Sequence, residues 1–350
     1  MEYPDAYDVL AEKHNQSKSV RYRKILELLM TQIQAQIAVL LPATPEDLST
    51  KLNIDLSRVR NEIHDLFVKG VIIPKDFKTM EGARFCRTVL QLHDASEANA
   101  RLDPTIEPEL LDAWEDFCQK EWYPQRAEEF AKRDIPRDRV IPAYKSVKDI
   151  PGLTRYDDVR EILRAAPLIA VVPCSCRRQV RHSKTIVESC LQFGRSAEYA
   201  IARGSGRQVS YDEAIKVVDR AEEDGQVHTW PNERTLSYGV MCNCTRDACV
   251  AWTPIIQQGL SPLKRAAKSR FQATVNQDVC SGCQQCIDRC QFDAIDMVKF
   301  LGAKKLKAAV QADKCAGCGV CVIACEPRAL SMELVRALEH IPEHRPVLAQ

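Results

Sequence analysis

The run Cys280-Ser281-Gly282-Cys283-Gln284-Gln285-Cys286-Ile287-Asp288-Arg289-Cys290 returns 35 residues later as Cys315-Ala316-Gly317-Cys318-Gly319-Val320-Cys321-Val322-Ile323-Ala324-Cys325. Each half is C-x₂-C-x₂-C-x₃-C, a spacing that wraps three thiolates round one iron–sulfur cube and sends the fourth to its neighbour. Asp278/Asp313, Ala294/Ala329, Ile295/Leu330 and Met297/Met332 recur at the same offset, so the segment is an internal duplication. Paired zinc sites or disulfides are the alternatives for eight cysteines, but neither calls for this duplicated register.

At 350 residues the chain has room for two to four domains and a sizeable core. Its formal charge of +1 and 45% hydrophobic content are ordinary for a soluble globular protein. The 16 cysteines cluster at metal-ligand spacing instead of spreading as a disulfide framework, which points to a reducing compartment or to thiolates held under metal. The opening residues lack the layout of a secretory signal, and no apolar run approaches the roughly 18 residues of a membrane span. The expected location is the cytoplasm.

Residues 1–20 read as a polar lead-in. From Tyr22 the apolar spacing of Ile25, Leu28, Leu29, Ile33, Ile37 and Leu40 predicts one helix, stopped by Pro42. Thr44 and Pro45 open a short helix with Leu48 and Leu52 inward. A second helix follows from about Ser57 to Lys69, burying Val59, Ile63, Leu66 and Phe67. Strands at Val71-Ile72-Ile73 and near Ala83-Arg84-Phe85 complete a winged helix-turn-helix, assigned to residues 1–89. Residues 1–100 hold 13 Lys+Arg against 14 Asp+Glu, so the basic footprint that phosphate binding needs is missing. Docking or scaffolding is the expected role, and nucleic acid is not the expected partner.

Residues 90–150 read as a helical connector with Leu110, Leu111, Trp114 and Phe117 on one face and a helix ending at Trp122-Tyr123-Pro124. Cys86 and Cys118 are read as small buried hydrophobes. Residues 151–268 read as a small α/β domain. In it, Leu168–Val172 is an apolar strand ending in Cys174-Ser175-Cys176, and Tyr238–Met241 is another ending in Cys242-Asn243-Cys244. The two C-x-C strands are expected side by side, with Cys190 on a helix and Cys249 in a turn. Four of these six cysteines are expected to hold a third [4Fe–4S] cluster, or alternatively structural zinc. Arg177, Arg178, Arg181 and His182 are a solvated face or compensate an anionic cluster. Ser210 and Glu213 form a capping box for a helix running to about Glu223. Residues 264–270, rich in Lys and Arg, read as a linker. A second basic stretch, Lys304-Lys305-Leu306-Lys307, lies in the insert between the duplicated motifs.

The duplicated motif resembles the bacterial-type two-[4Fe–4S] ferredoxin domain over residues 269–350. That resemblance implies crossed ligation, with Cys280, Cys283, Cys286 and Cys325 on one cluster and Cys315, Cys318, Cys321 and Cys290 on the other. Gln291 and Glu326 stand where that family usually has proline. The Cys-x-Cys-Arg segment, the Cys190–Tyr199 segment and Cys-Asn-Cys are similar to a broad group of multidomain 4Fe–4S ferredoxin-type proteins with an N-terminal winged helix. In that group further cysteines crowd Cys-Asn-Cys, where Thr245, Arg246 and Asp247 stand here. The resemblance implies electron transfer without a named reaction.

The expectation is an α+β multidomain iron–sulfur electron-transfer protein, a subunit or dedicated carrier for an anaerobic oxidoreductase. Its partner would be a protein carrying flavin or a metal cofactor, within a larger complex. No nucleophile or general acid–base set stands out. The rival reading is a redox-sensing transcription regulator, against which the mixed charge of the winged helix argues.

Overall fold

A computed structural model describes residues 5–99, 105–236, 239–302 and 304–344. The chain divides into two compact units.

The first unit comprises Met1–Trp122, Val172–His182 and Ala197–Arg207. The segment read as a polar lead-in contains the helix Ala6–Lys13, capped by Asp5 and burying Tyr7 and Leu10. The helix expected from Tyr22 onward is two helices, Val20–Leu29 and Gln32–Leu40. The break comes at Thr31, whose hydroxyl accepts from Gln34 N–H while the Gln34 side chain accepts from Thr31 N–H, a reciprocal capping box. Helices Pro45–Leu52 and Leu56–Val68 follow, then an antiparallel hairpin pairing Ile72 with Phe85 and Ile73 with Arg84. Helix Val89–Glu97 buries the polar His93 and Glu97 beside Leu92. The helix Glu107–Phe117 continues through a π-turn at Cys118–Trp122, and Pro124 lies within the next helix, Tyr123–Ala131, instead of ending one. Cys86 and Cys118 are buried.

The second unit comprises Tyr123–Val171, Ser183–Ser196 and Gln208–Gln350. A seven-stranded sheet runs in the order Arg207–Gln208, Ile169–Pro173, Glu188–Phe193, Gly239–Cys244, Val227–Pro231, Asp138–Ile141, Ala266–Ala267. The two C-x-C strands are therefore not neighbours: Glu188–Phe193 lies between them, and it is this strand, not a helix, that carries Cys190. Helix Tyr211–Glu223 starts at the expected capping box of Ser210 and Glu213.

Alternation along the strands divides the sheet into two faces. Ile141, Leu191, Phe193, Trp230 and Met241 face helices Val159–Ala165 and Tyr211–Glu223 in one core. Val140, Val227, Cys244 and Cys249 belong to another core, shared with Phe271, Phe292 and cysteines of the duplicated motif. That C-terminal segment pairs Phe271–Val275 with Leu330–Leu334, and Ile295–Val298 with Lys307–Val310. Among the described residues no helix is long and apolar enough to cross a membrane.

The stretch expected to be a linker is built into this unit. Ala266–Ala267 adds a parallel edge strand to Asp138–Ile141. Arg270 is buried, with Nη1 2.7 Å from the buried Asp157 carboxylate.

Candidate metal centres

The duplication extends to the backbone. Gly282 and Gly317 share a left-handed φ of 73°, and the pairs Gln284/Gly319 and Asp293/Arg328 are also left-handed. In each half the left-handed residue before the third cysteine starts a short helix, Gln285–Arg289 or Val320–Ile323. At Gly317 an added Cβ would fall within 3.0 Å of Phe271 O and Ser269 Oγ, and at Gly282 within 3.0 Å of Leu306 O. Only glycine fits both the backbone angle and the space.

Cys280, Cys283, Cys286 and Cys325 line one cavity. Cys290, Cys315, Cys318 and Cys321 line a second. The last cysteine of each half thus sits with the first three of the other. Ala329 N–H donates to Cys325 Sγ at 3.2 Å and Ala294 N–H to Cys290 Sγ at 3.3 Å, and both alanine side chains are buried. Burial pushes the Cys286 thiol up to about 11 and the Cys318 thiol up to about 12. Both become anionic only with a cation beside them, the chemistry of a metal-cluster cradle. The donor set fits two four-thiolate clusters.

The two cavities differ in surroundings. Cys283 is exposed, whereas Cys315, Cys318 and Cys321 are buried. The inner loop is held by Ser269 N–H on Ala316 O, Ser269 Oγ on Gly317 O, and Ala143 N–H on Cys318 O. The apolar body of the second unit covers it.

Four further thiols meet in the sheet. Leu191 pairs with Met241, so one step along the register Cys190 lies opposite Cys242, and Cys244 shares their face two residues on. The turn after Thr245 brings back Cys249, whose N–H bonds Thr245 O. Cys242 takes hydrogen bonds from Cys190 and Cys244, which lower its pKa to about 5. Cys244 in turn contacts Cys249, and its own pKa is raised. Among the described residues no three potential ligands converge on a point that would hold an ion; the sulfurs form a chain of S–H···S contacts, and once deprotonated they repel unless a cation draws them together. Cys174 and Cys176 belong to the first unit, where Ser175 between them donates to Asp94.

Residues that sequence reasoning passed over complete this site. Burial works against the charge of Arg265, but Asp138 and the sulfurs of Cys249, Cys242 and Cys244 hold it protonated, and it pairs directly with Asp138. This arginine compensates the thiol site. Those after the first C-x-C are otherwise used: Arg178 binds Glu107 and the carbonyls of Glu97 and Asn99, and Arg181 pairs with Asp112. Behind the cysteines, Asn243 donates to Ser189 O and bonds His228, which lies 3.4 Å from Glu222.

Gln291, in the position where proline is usual, has a specific use. Its side-chain oxygen accepts from Arg246 N–H at 2.9 Å, and Arg246 Nη1 lies 2.6 Å from Asp293. Two residues before Arg246 is Cys244, and one before Gln291 is Cys290. The thiol site and the inner cavity are therefore joined by one short bonded path.

Residues 279–330 match the family model described as 4Fe-4S dicluster domain. That match makes the C-terminal part a 4Fe–4S ferredoxin-type domain and supports two [4Fe–4S] clusters in an electron-transfer role. No curated protein and no solved structure matches the chain.

Proposed function

We propose that this protein is an electron-transfer subunit or dedicated carrier of a cytoplasmic oxidoreductase, working with a partner that carries flavin or a metal cofactor. The observation that carries the reading is the grouping of the eight duplicated cysteines into two sets of four around separate cavities. In this reading Cys280, Cys283, Cys286 and Cys325 hold an outer cluster. Cys290, Cys315, Cys318 and Cys321 hold an inner one. The protein tunes both through burial and through amide hydrogen bonds to sulfur.

The central thiols Cys190, Cys242, Cys244 and Cys249 form a third metal centre in this proposal. Their mutual contact supports zinc over a third cube. Zn–S bonds of about 2.3 Å bring the four sulfurs of a tetrahedron to roughly the spacing of S–H···S contacts. A cube puts each thiolate on a different iron and spreads them, as around the C-terminal cavities, where the sulfurs do not bond one another. Anaerobically purified protein should then carry about eight irons and about one zinc per chain. About twelve irons without zinc would make the central site a third cluster instead. Fewer than about eight irons would overturn the two-cluster reading.

The N-terminal helices and hairpin serve in this proposal as a docking winged helix. On helix Leu56–Val68, Arg58 lies 3.7 Å from Glu62 and Arg60 2.8 Å from Glu46. Those pairings weigh against a phosphate-binding face and against the regulator reading.

A further inference from the structure

The outer cavity opens beside a stretch of surface that is both basic and apolar. Cys283 is exposed there, together with Val279, Ser281, Gln284 and Gln285. The hairpin of Ile295–Val298 and Lys307–Val310 lies against this loop: an added Cβ on Gly282 would meet the carbonyl of Leu306 and approach Lys305. At its tip Leu301 is fully exposed, and Val298 and Leu306 are 40% and 46% exposed. Between residues 295 and 310 stand Lys299, Lys304, Lys305 and Lys307 against the single acid Asp296. At the inner cavity Cys315, Cys318 and Cys321 are buried and Cys290 is only partly exposed.

Electron transfer needs the closest approach a partner can make to the cluster, and an exposed apolar centre with a charged rim is how a transient interface is built. We infer that this hairpin and the Cys280–Cys286 loop form the docking surface for an electron-carrying protein with an acidic rim around its cofactor. The lysines steer the encounter and the leucines make the contact. This rests on the electron-transfer reading above and adds the place and the charge of the partner.

The test uses the full chain reduced with dithionite, excess reductant removed, and oxidised rubredoxin as an acidic one-iron carrier. One electron leaves a reduced cluster and converts the rubredoxin iron from Fe(III) to Fe(II). A double variant, Lys304→Glu with Lys305→Glu, should slow this step at low ionic strength by about tenfold or more, with the loss fading as salt rises. Oxidation by basic cytochrome c should speed up in the same variant. Leu301→Gln should slow rubredoxin without changing the salt dependence. Iron content, measured on every variant, separates the two readings: normal iron with unchanged rates overturns the docking surface alone, and absent clusters in the parent protein overturn the electron-transfer reading itself. If the parent chain bound a DNA duplex through these lysines, and the double variant lost that binding while keeping its rates, the patch would be a nucleic-acid surface and the inference wrong.

Discussion

Substituting Gly317 by alanine tests whether the inner cluster loop is held as rigidly as its contacts indicate. Gly317 has φ 73°, and the new Cβ would meet Phe271 O, Phe271 C and Ser269 Oγ, all within 3.0 Å. The left-handed backbone alone costs a non-glycine residue roughly 1–2 kcal/mol. Overpacking a fixed environment adds roughly 1–3 kcal/mol, and here the obstacle is mainly backbone, with Ser269 Oγ committed to Gly317 O at 2.7 Å. The sum, roughly 2–5 kcal/mol, is a large part of the stability of a typical domain. Gly302 is the control, since its φ is 78° and a Cβ there meets nothing within 4 Å. Gly302→Ala should cost only the backbone part, roughly 1–2 kcal/mol. Both variants would be unfolded anaerobically in guanidinium, followed by tryptophan fluorescence and by cluster absorbance. Gly317→Ala should lose the inner cluster first, because Cys315 and Cys318 flank the displaced residue. If it kept full iron and matched Gly302→Ala in stability, the loop would be soft and the argument from its contacts would fail.

Cys290→Ala should remove the cluster of Cys315, Cys318 and Cys321 and spare that of Cys280, Cys283 and Cys286, as read by electron paramagnetic resonance of the reduced protein; the opposite loss would refute crossed ligation. Arg270→Leu takes away the cation bonded to the buried Asp157 carboxylate and leaves it only the field of the buried Arg139, so it should cost up to about 3–5 kcal/mol in denaturant unfolding. An indifferent variant would return residues 264–270 to the status of a linker. Burial works to lower the His93 pKa, but Glu97 and Asp94 raise it to about 9, and burial pushes Glu97 up to about 8. Both groups bind protons more tightly folded than unfolded. The His93 contribution is thus complete below its ordinary 6.5 and disappears as pH rises through about 9. Stability measured between pH 6 and pH 10 should fall, and Glu97→Gln should flatten the decline; equal slopes in the two proteins would rule the pair out as its source.

The parts of this fold that can be read from sequence are those whose geometry is local. Eight cysteines at fixed spacing need only short turns, so the two C-terminal sets are visible without knowledge of any contact. The Ser210–Glu213 capping box is equally plain, and the same signal at Thr31-Gln32-Ile33-Gln34, a threonine three residues before a glutamine, marks the break in what periodicity reads as one helix. The central site is non-local. Nothing near Cys190 says that its strand separates the two C-x-C strands, because that depends on pairing across about fifty residues. Arg265 stays hidden for a related reason: in a run of Lys, Arg and Ala an ion pair to Asp138 has no local signature. His93 and Glu97 leave a fainter mark, as polar residues on the apolar side of helix Val89–Glu97.

The core that joins the sheet to the dicluster segment bears on how this gene can be cut and recombined. Phe271, Phe292 and Trp252 share that core with Val140 and Val227, Ala143 N–H bonds Cys318 O, and Arg270 reaches Asp157. A fragment beginning near Arg270 would carry all eight duplicated cysteines and still be left with a bare apolar flank and an arginine stripped of its Asp157 partner. Ferredoxin-type segments are compact enough to be traded between genes as cassettes. Here the cassette has grown into its neighbour, so transplanting it calls for the sheet as well, and the two should be inherited as one piece.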